Sequence, residues 1–286
     1  MNNEKSTYQE HLEIEKQNNI PKKLSFSALQ ALLFSFVAIV TWQIVGGIIT
    51  VPGFFYKPLN HVLLPLGFLG GTIAAIVILL MLTQTKVAPI IQDIKRKFTI
   101  TQVILAIACW VCFLPLVEFF TSLIPTDGPF EIIYKLFEES FKMMLDYKIA
   151  GFIMVCILAP IFEEIIFRGI ILKGMLNFKV NPITAILING FIFGCAHMNP
   201  WQFIGAGFLG VIFGYIYYRT RSLFLPMLLH FLNNALSFSF MMIYGEVEEE
   251  VFQPSIFLIG GMTVLGIVAI YLFYKNTNKN EQLEWN

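Results

Sequence analysis

The stretch Pro160-Ile161-Phe162-Glu163-Glu164-Ile165-Ile166-Phe167-Arg168-Gly169 places two adjacent acids and an arginine inside an apolar run that extends from 149 to 172. About 20 helical residues cross about 30 Å of hydrocarbon, so the run reads as a membrane-spanning helix. Charge buried there is expensive unless it is paired or lines a wet cavity, which makes a functional site the default reading. Glu164 and Arg168 are four residues apart with the acid first, the spacing that stacks an ion pair on one helix face. Glu163 points about 100° away around the helix and has no partner in its own segment. Its carboxylate is free for chemistry. The bland alternative is an acid pair at a helix end, anchored in headgroups with Arg168 snorkelling.

Seven further runs flank this one, at 24–50, 62–83, 100–124, 182–198, 201–218, 223–243 and 254–274. They predict an all-α, polytopic membrane protein of about eight transmembrane helices. Composition agrees: 57% of the 286 residues are hydrophobic, 13% are charged, and the mean hydropathy is +0.71. A soluble domain is about half apolar and a quarter charged. The formal net charge is zero and the basic residues are scattered, so no nucleic-acid partner is expected.

Orientation follows from the lysines and arginines between the runs. With a cytoplasmic N-terminus, fifteen fall inside: Lys5, Lys16, Lys22, Lys23, Lys86, Lys95, Arg96, Lys97, Arg168, Lys173, Lys179, Arg219, Arg221, Lys275 and Lys279. Only Lys57, Lys135, Lys142 and Lys148 fall outside, where one loop is acidic with Glu246, Glu248, Glu249 and Glu250. Both termini are therefore expected in the cytoplasm, and the protein in the plasma membrane.

The chain divides into a polar N-terminal tail (1–23), accessory helices with an outer segment (24–148), a core (149–245), and a last helix with its tail (246–286). The run after Lys22-Lys23 is too long for a removable signal peptide. Segment 128–148 sets Phe130, Ile133, Phe137, Phe141, Met144 and Leu145 at helical spacing among charges, which reads equally as an amphipathic interfacial helix or a polar loop with some helix. Gly210 and Gly214 form a G-x-x-x-G, first read as a close helix contact within the chain. The four cysteines, Cys109, Cys112, Cys156 and Cys195, all lie in apolar runs, where neither disulfides nor redox work is expected.

Two more runs carry polar groups at intervals of four: Asn189, Phe193 and His197 on one, His230 and Asn234 on the other. A single buried histidine is ordinarily structural. Two of them, each with an amide on its own helix face and with an acid pair on a third helix, fit a hydrolytic pocket better. An unpaired carboxylate in a low-dielectric setting is a competent base for a water proton near pH 7, and imidazole and amide N–H groups suit a developing oxyanion. The same side chains offer a second arrangement, with Glu163, His197 and His230 as the tripod of a divalent metal such as zinc. Neither H-E-x-x-H nor any other metal motif supports it.

Glu163-Glu164-x-x-x-Arg168, Phe193-x-x-x-His197 and His230-x-x-x-Asn234 resemble, in order, the three motifs of the CAAX protease and bacteriocin-processing (CPBP) family of intramembrane proteases. That family includes type II CAAX prenyl endopeptidases and lysostaphin-resistance-like proteins. The resemblance covers about 149–245. It implies a helical site open toward the cytoplasm in which Glu163 activates water, Glu164 and Arg168 support it, and His197, His230 and Asn234 complete the site. It implies that His230 and Asn234 face the oxyanion. A protein or peptide substrate in the lipid bilayer follows; the metal and the oligomeric state stay open. The competing readings are a catalytically silent immunity or scaffold protein on the same fold, and an ion-coupled transporter, for which the expected related halves are absent.

One conflict arises. His230 lies roughly 10 Å from the start of its helix and His197 more than about 20 Å from Pro182, at 1.5 Å per residue. Straight, flush helices cannot bring both to one pocket, so the fifth helix is expected to start later than Pro182, or to tilt or dip.

Overall fold

The computed structural model describes residues 24–244 and 254–277 and contains no strand among them. Its helices are α1 (Ala28–Phe55), α2 (Asn60–Thr83), α3 (Ala88–Ile94), α4 (Ile100–Ser122), α5 (Glu131–Asp146), α6 (Lys148–Asn177), α7 (Pro182–Cys195), α8 (Pro200–Thr220), α9 (Phe224–Tyr244) and α10 (Ile256–Thr277). Seven of them are long and apolar enough to cross a membrane, and α7 is a shorter apolar helix. The protein is an all-α, polytopic integral membrane protein. Glu246, Glu248, Glu249 and Glu250, the N-terminal tail and Lys279 lie outside the described residues.

The first helix begins later than its apolar run. Ser27 Oγ accepts from the Gln30 amide and the Gln30 side chain accepts from the Ser27 N–H, a capping box that stops the helix at that point. Leu24 and Phe26 ahead of it are buried instead as an extended lead-in, with the Phe26 ring against Gly174. Segment 128–148 contains a true helix, α5, whose Tyr134 and Phe137 rings pack on Trp201.

Small residues set the closest helix pairs. Gly46 of α1 faces Gly67 of α2, and Gly71 leaves room for Trp42. In the α7–α8 hairpin a Cβ on Gly190 would meet the Gly207 carbonyl at 2.9 Å, and one on Gly194 the Phe203 carbonyl at 2.6 Å. Gly210 lies against Gly190 and Phe193, and Gly214 against Ile186 and Leu172. The G-x-x-x-G is therefore an intramolecular contact, as first read. The hairpin turns through Met198, at φ 57°, and Asn199 caps α8 by accepting from the Gln202 amide at 2.8 Å.

Helix α6 runs through the middle of the bundle. It is wound as a π-helix over Ile153–Leu158 and again over Ile165–Leu172, with one α-helical segment, Ala159–Glu164, between. Pro160 explains the first stretch: its ring crowds the carbonyl four residues back and it has no N–H to give. At one end of the bundle Asn177 Nδ2 donates to the Leu24 carbonyl (2.7 Å), Leu223 N to the Asp93 carbonyl (3.0 Å) and Arg219 Nε to Thr277 Oγ1 (3.0 Å). At the other, Tyr147 donates to the Lys57 carbonyl (2.7 Å) and Trp201 to the Ile124 carbonyl (3.3 Å). Arg168 and Lys173, counted above as loop charges, are buried within α6. Without them the lysine and arginine bias keeps its sign at thirteen against four, fifteen less two.

Candidate active site

The two adjacent acids of α6 are both buried, Glu163 at 7% exposure and Glu164 at 0%. Glu164 Oε1 accepts from Arg168 Nη1 at 2.8 Å, the pair expected from the four-residue spacing, and from His230 Nδ1 at 3.0 Å. Arg168 is buried rather than snorkelling: its Nη2 donates to the Gly210 carbonyl at 3.1 Å and its guanidinium lies 4.4 Å from the Phe193 ring centroid. The headgroup-anchoring alternative is thereby overturned. A glycine on α8 lets the Arg168 fork reach backbone oxygen there, since any Cβ on Gly210 would press on Gly190 and Phe193.

His230 is held on one side only. With its Nδ1–H donating to the Glu164 carboxylate, the ring turns Nε2 toward Glu163, whose Oε2 is 3.9 Å away. That gap is too long for a direct hydrogen bond and of the size a bridging water fills. Glu163 Oε2 is buried with no hydrogen-bond partner in the protein. Glu163 is thus the free carboxylate of the pair, as its helical phase implied.

Asn234 sits one turn beyond His230 on α9 and donates from Nδ2 to the Val155 carbonyl at 2.8 Å. Val155 needs that bond. The Ala159 N–H goes to the Met154 carbonyl, so the next N–H in the same winding would come from residue 160, which is proline. Asn234 supplies the donor that Pro160 lacks. A chain of bonds orients the amide: Trp110 Nε1 to Asn233 Oδ1 (3.2 Å), and Asn233 Nδ2 to Asn234 Oδ1 (3.4 Å). Helix α4, which showed no motif in the sequence, supports the site through this indole.

Asn189 of α7 donates to the Phe167 carbonyl at 2.8 Å in the second π-wound stretch. His197 lies two residues past the end of α7, half-buried, with Nδ1 on the Phe193 carbonyl at 2.9 Å. The Phe193 ring has His197 on one side (5.2 Å between centroids) and His230 on another (5.7 Å). Both histidines thus reach the same cluster even though α7 starts at Pro182, so of the alternatives offered for the fifth helix the late start does not hold. The helix starts are unequal instead: α9 rises from Ser222 and Leu223, both 0% exposed, while α7 opens with Ile183 at 69%. Residue counts from the two starts have no common plane. Among the described residues no three His, Cys, Asp or Glu side chains group closely enough to hold a metal. Glu163, His197 and His230 do not fit a metal tripod as placed, so no step below runs through one.

Sequence reasoning missed a second buried centre. Lys173 Nζ donates to Asp93 Oδ2 at 2.6 Å and to the Pro89 carbonyl at 3.0 Å, and the Tyr217 hydroxyl donates to the same Asp93 oxygen at 2.6 Å. The signal available was an aspartate alone in a long stretch otherwise free of acids.

The fold and this cluster define the class: a helical membrane protein with one acid, histidine and amide centre buried between α6, α7, α8 and α9. Residues 146–236 match the family described as type II CAAX prenyl endopeptidase Rce1-like. The matched residues include Glu163, Glu164, Arg168, His197, His230 and Asn234, the positions that carry the resemblance to the CPBP proteins. The chain is similar to the membrane-embedded CAAX protease MroQ of Staphylococcus aureus, 33% identical over 110 residues, 36% of this chain and 44% of that protein. It is also similar to the putative membrane peptidase YdiL of Bacillus subtilis, 38% identical over 78 residues, 27% of this chain and 32% of that protein. The aligned stretch thus spans less than half the length of either relative. No solved structure matches the chain.

Proposed function

We propose that the protein is an intramembrane endopeptidase that hydrolyses a peptide bond of a membrane-associated protein or peptide with a water activated by Glu163. The observation that carries this reading is the one-sided arrangement of the centre. Arg168 and His230 both hold Glu164, which leaves Glu163 Oε2 without a partner, 3.9 Å from His230 Nε2. Water in that gap gives its proton to Glu163 and attacks the scissile carbonyl carbon; the proton then passes to the leaving nitrogen. The Nε2 edge of His230 can face the oxyanion, and the second Nδ2 hydrogen of Asn234 can join it. His197 borders the same cluster through Phe193. The two relatives, a CAAX protease and a putative membrane peptidase, support the reaction class. The charge bias supports cytoplasmic termini, and a plasma-membrane location is proposed with them.

The test compares new protein N-termini in membranes of cells making the wild-type chain or Glu163→Gln at matched levels. Cleavages present only with wild type are expected, and they identify substrates directly. Identical N-terminal profiles with both proteins inserted would favour the silent scaffold or immunity reading.

A further inference from the structure

The end of the bundle around Asp93 carries a charge excess that hydrolysis does not use. Asp93 is the single acid between residues 24 and 117, and none occurs between 165 and 244. At this end stand nine cations: Lys86, Lys95, Arg96, Lys97, Lys173, Lys179, Arg219, Arg221 and Lys275. The Asp93 carboxylate is 3% exposed and already engaged by Lys173 and Tyr217. Arg219 is turned away, with Nε on Thr277 and its guanidinium 4.5 Å from the Tyr274 ring centroid.

Arg96 and Arg221 flank the neutralised carboxylate. Two staples join their segments: the Leu223 N–H donates to the Asp93 carbonyl at 3.0 Å, and Phe98 stacks on Phe224 at 5.3 Å with 9° between the rings. Arg96 lies between Asp93 and Phe98 in sequence, and Arg221 precedes Leu223 by two residues, so the folded backbone holds the two arginines side by side. Partial burial, together with the charge of Arg221, holds Arg96 below the usual arginine range. Planar guanidinium forks suit the oxygens of a phosphate. The two helices that flank Arg96 in sequence carry exposed apolar side chains at their near ends, with Val87 at 47%, Ile91 at 44% and Ile100 at 73%. A cationic fork rimmed by aliphatic side chains matches a molecule that is phosphate at one end and hydrocarbon at the other.

We propose that Arg96 and Arg221 seat the phosphate of one anionic phospholipid, whose acyl chains run along Val87, Ile91 and Ile100. The test is native mass spectrometry of the purified full chain in detergent, with phosphatidylglycerol, phosphatidylcholine or inorganic phosphate added. One phosphatidylglycerol is expected to stay bound in preference to phosphatidylcholine. The double variant Arg96→Gln/Arg221→Gly loses that occupancy about tenfold, the effect of removing a phosphate pairing. Arg221 has φ 53°, a conformation glycine adopts freely, so its replacement does not strain the turn. A control double variant at the same end, Lys86→Gln/Lys275→Gln, removes equal charge and keeps the lipid. If the paired double variant does not insert, Arg96→Lys decides: it keeps the charge, loses the fork, and must lower retention. Equal loss in both double variants would overturn the seat in favour of diffuse attraction. Displacement of the lipid by equimolar inorganic phosphate would reassign it to a free anion.

Discussion

Two buried ion pairs lie along α6, and they are finished differently. Glu164 and Arg168 pair at 2.8 Å with both side chains at 0% exposure; Asp93 and Lys173 pair at 2.6 Å at 5% and 7%. Each acid also takes a second donor, His230 in one case and Tyr217 in the other. Glu163 Oε2, Glu164 Oε2 and Arg168 Nε nevertheless remain buried without partners, whereas no atom of Asp93, Lys173 or Tyr217 does. A satisfied polar cluster fixes elements to one another. One left incomplete retains hydrogen-bonding capacity, which a water and a substrate can use. The Asp93 cluster ties α3, α6 and α8 together, and the Glu164 cluster presents Glu163.

Replacing both pairs by apolar residues breaks this comparison most directly. Glu164→Leu/Arg168→Met is expected to abolish cleavage, because His230 loses its orienting carboxylate, whereas Asp93→Leu/Lys173→Met keeps most of it. Product N-termini quantified at matched protein levels decide, and equal losses would dissolve the distinction. Single truncations come next. Arg168→Met or Lys173→Met strands a buried carboxylate and should cost about 3–5 kcal/mol each, while the matching double variants cost less than either single. Unfolding in lipid nanodiscs measures this, and additive losses would argue that neither pair is coupled.

Asn234→Ala has two expected effects of smaller size. The rate should fall about 10²–10³-fold if the amide is one oxyanion donor. Stability should fall by about 1–3 kcal/mol because the Val155 carbonyl is orphaned. Adding Pro160→Ala returns an N–H to α6 and is expected to restore the stability but not the rate. Recovery of both would make Asn234 purely structural. The smallest expected effect is none at all: a chelator should leave cleavage unchanged, and its loss would bring back a metal on Glu163, His197 and His230.

Much of the fold was legible because a membrane span is a local property of about 20 residues. The Glu164–Arg168 pair was legible for the same reason, being one helical turn apart. The bond from His230 to Glu164 joins residues 66 apart, and the one from Lys173 to Asp93 residues 80 apart, so no local pattern contains them. The winding of α6 was half legible. Pro160 announces that a carbonyl will lack its donor, but not that Asn234 supplies it. The depth of His197 was misjudged because counting along helices assumes a common starting plane, and α9 starts from inside the protein.

Helix α7 has 14 residues, about 21 Å at 1.5 Å per residue, against about 30 Å of hydrocarbon. Its outward residues Ile183, Leu187 and Phe191 are 69%, 53% and 55% exposed, so lipid must conform to this short flank. Bilayers meet such hydrophobic mismatch by thinning, at a cost of a fraction of a kcal/mol per ångström. A thinned bilayer is therefore expected beside the acid and histidine cluster, with a shorter path from bulk water to Glu163 and a better match to thin membranes than to thick ones.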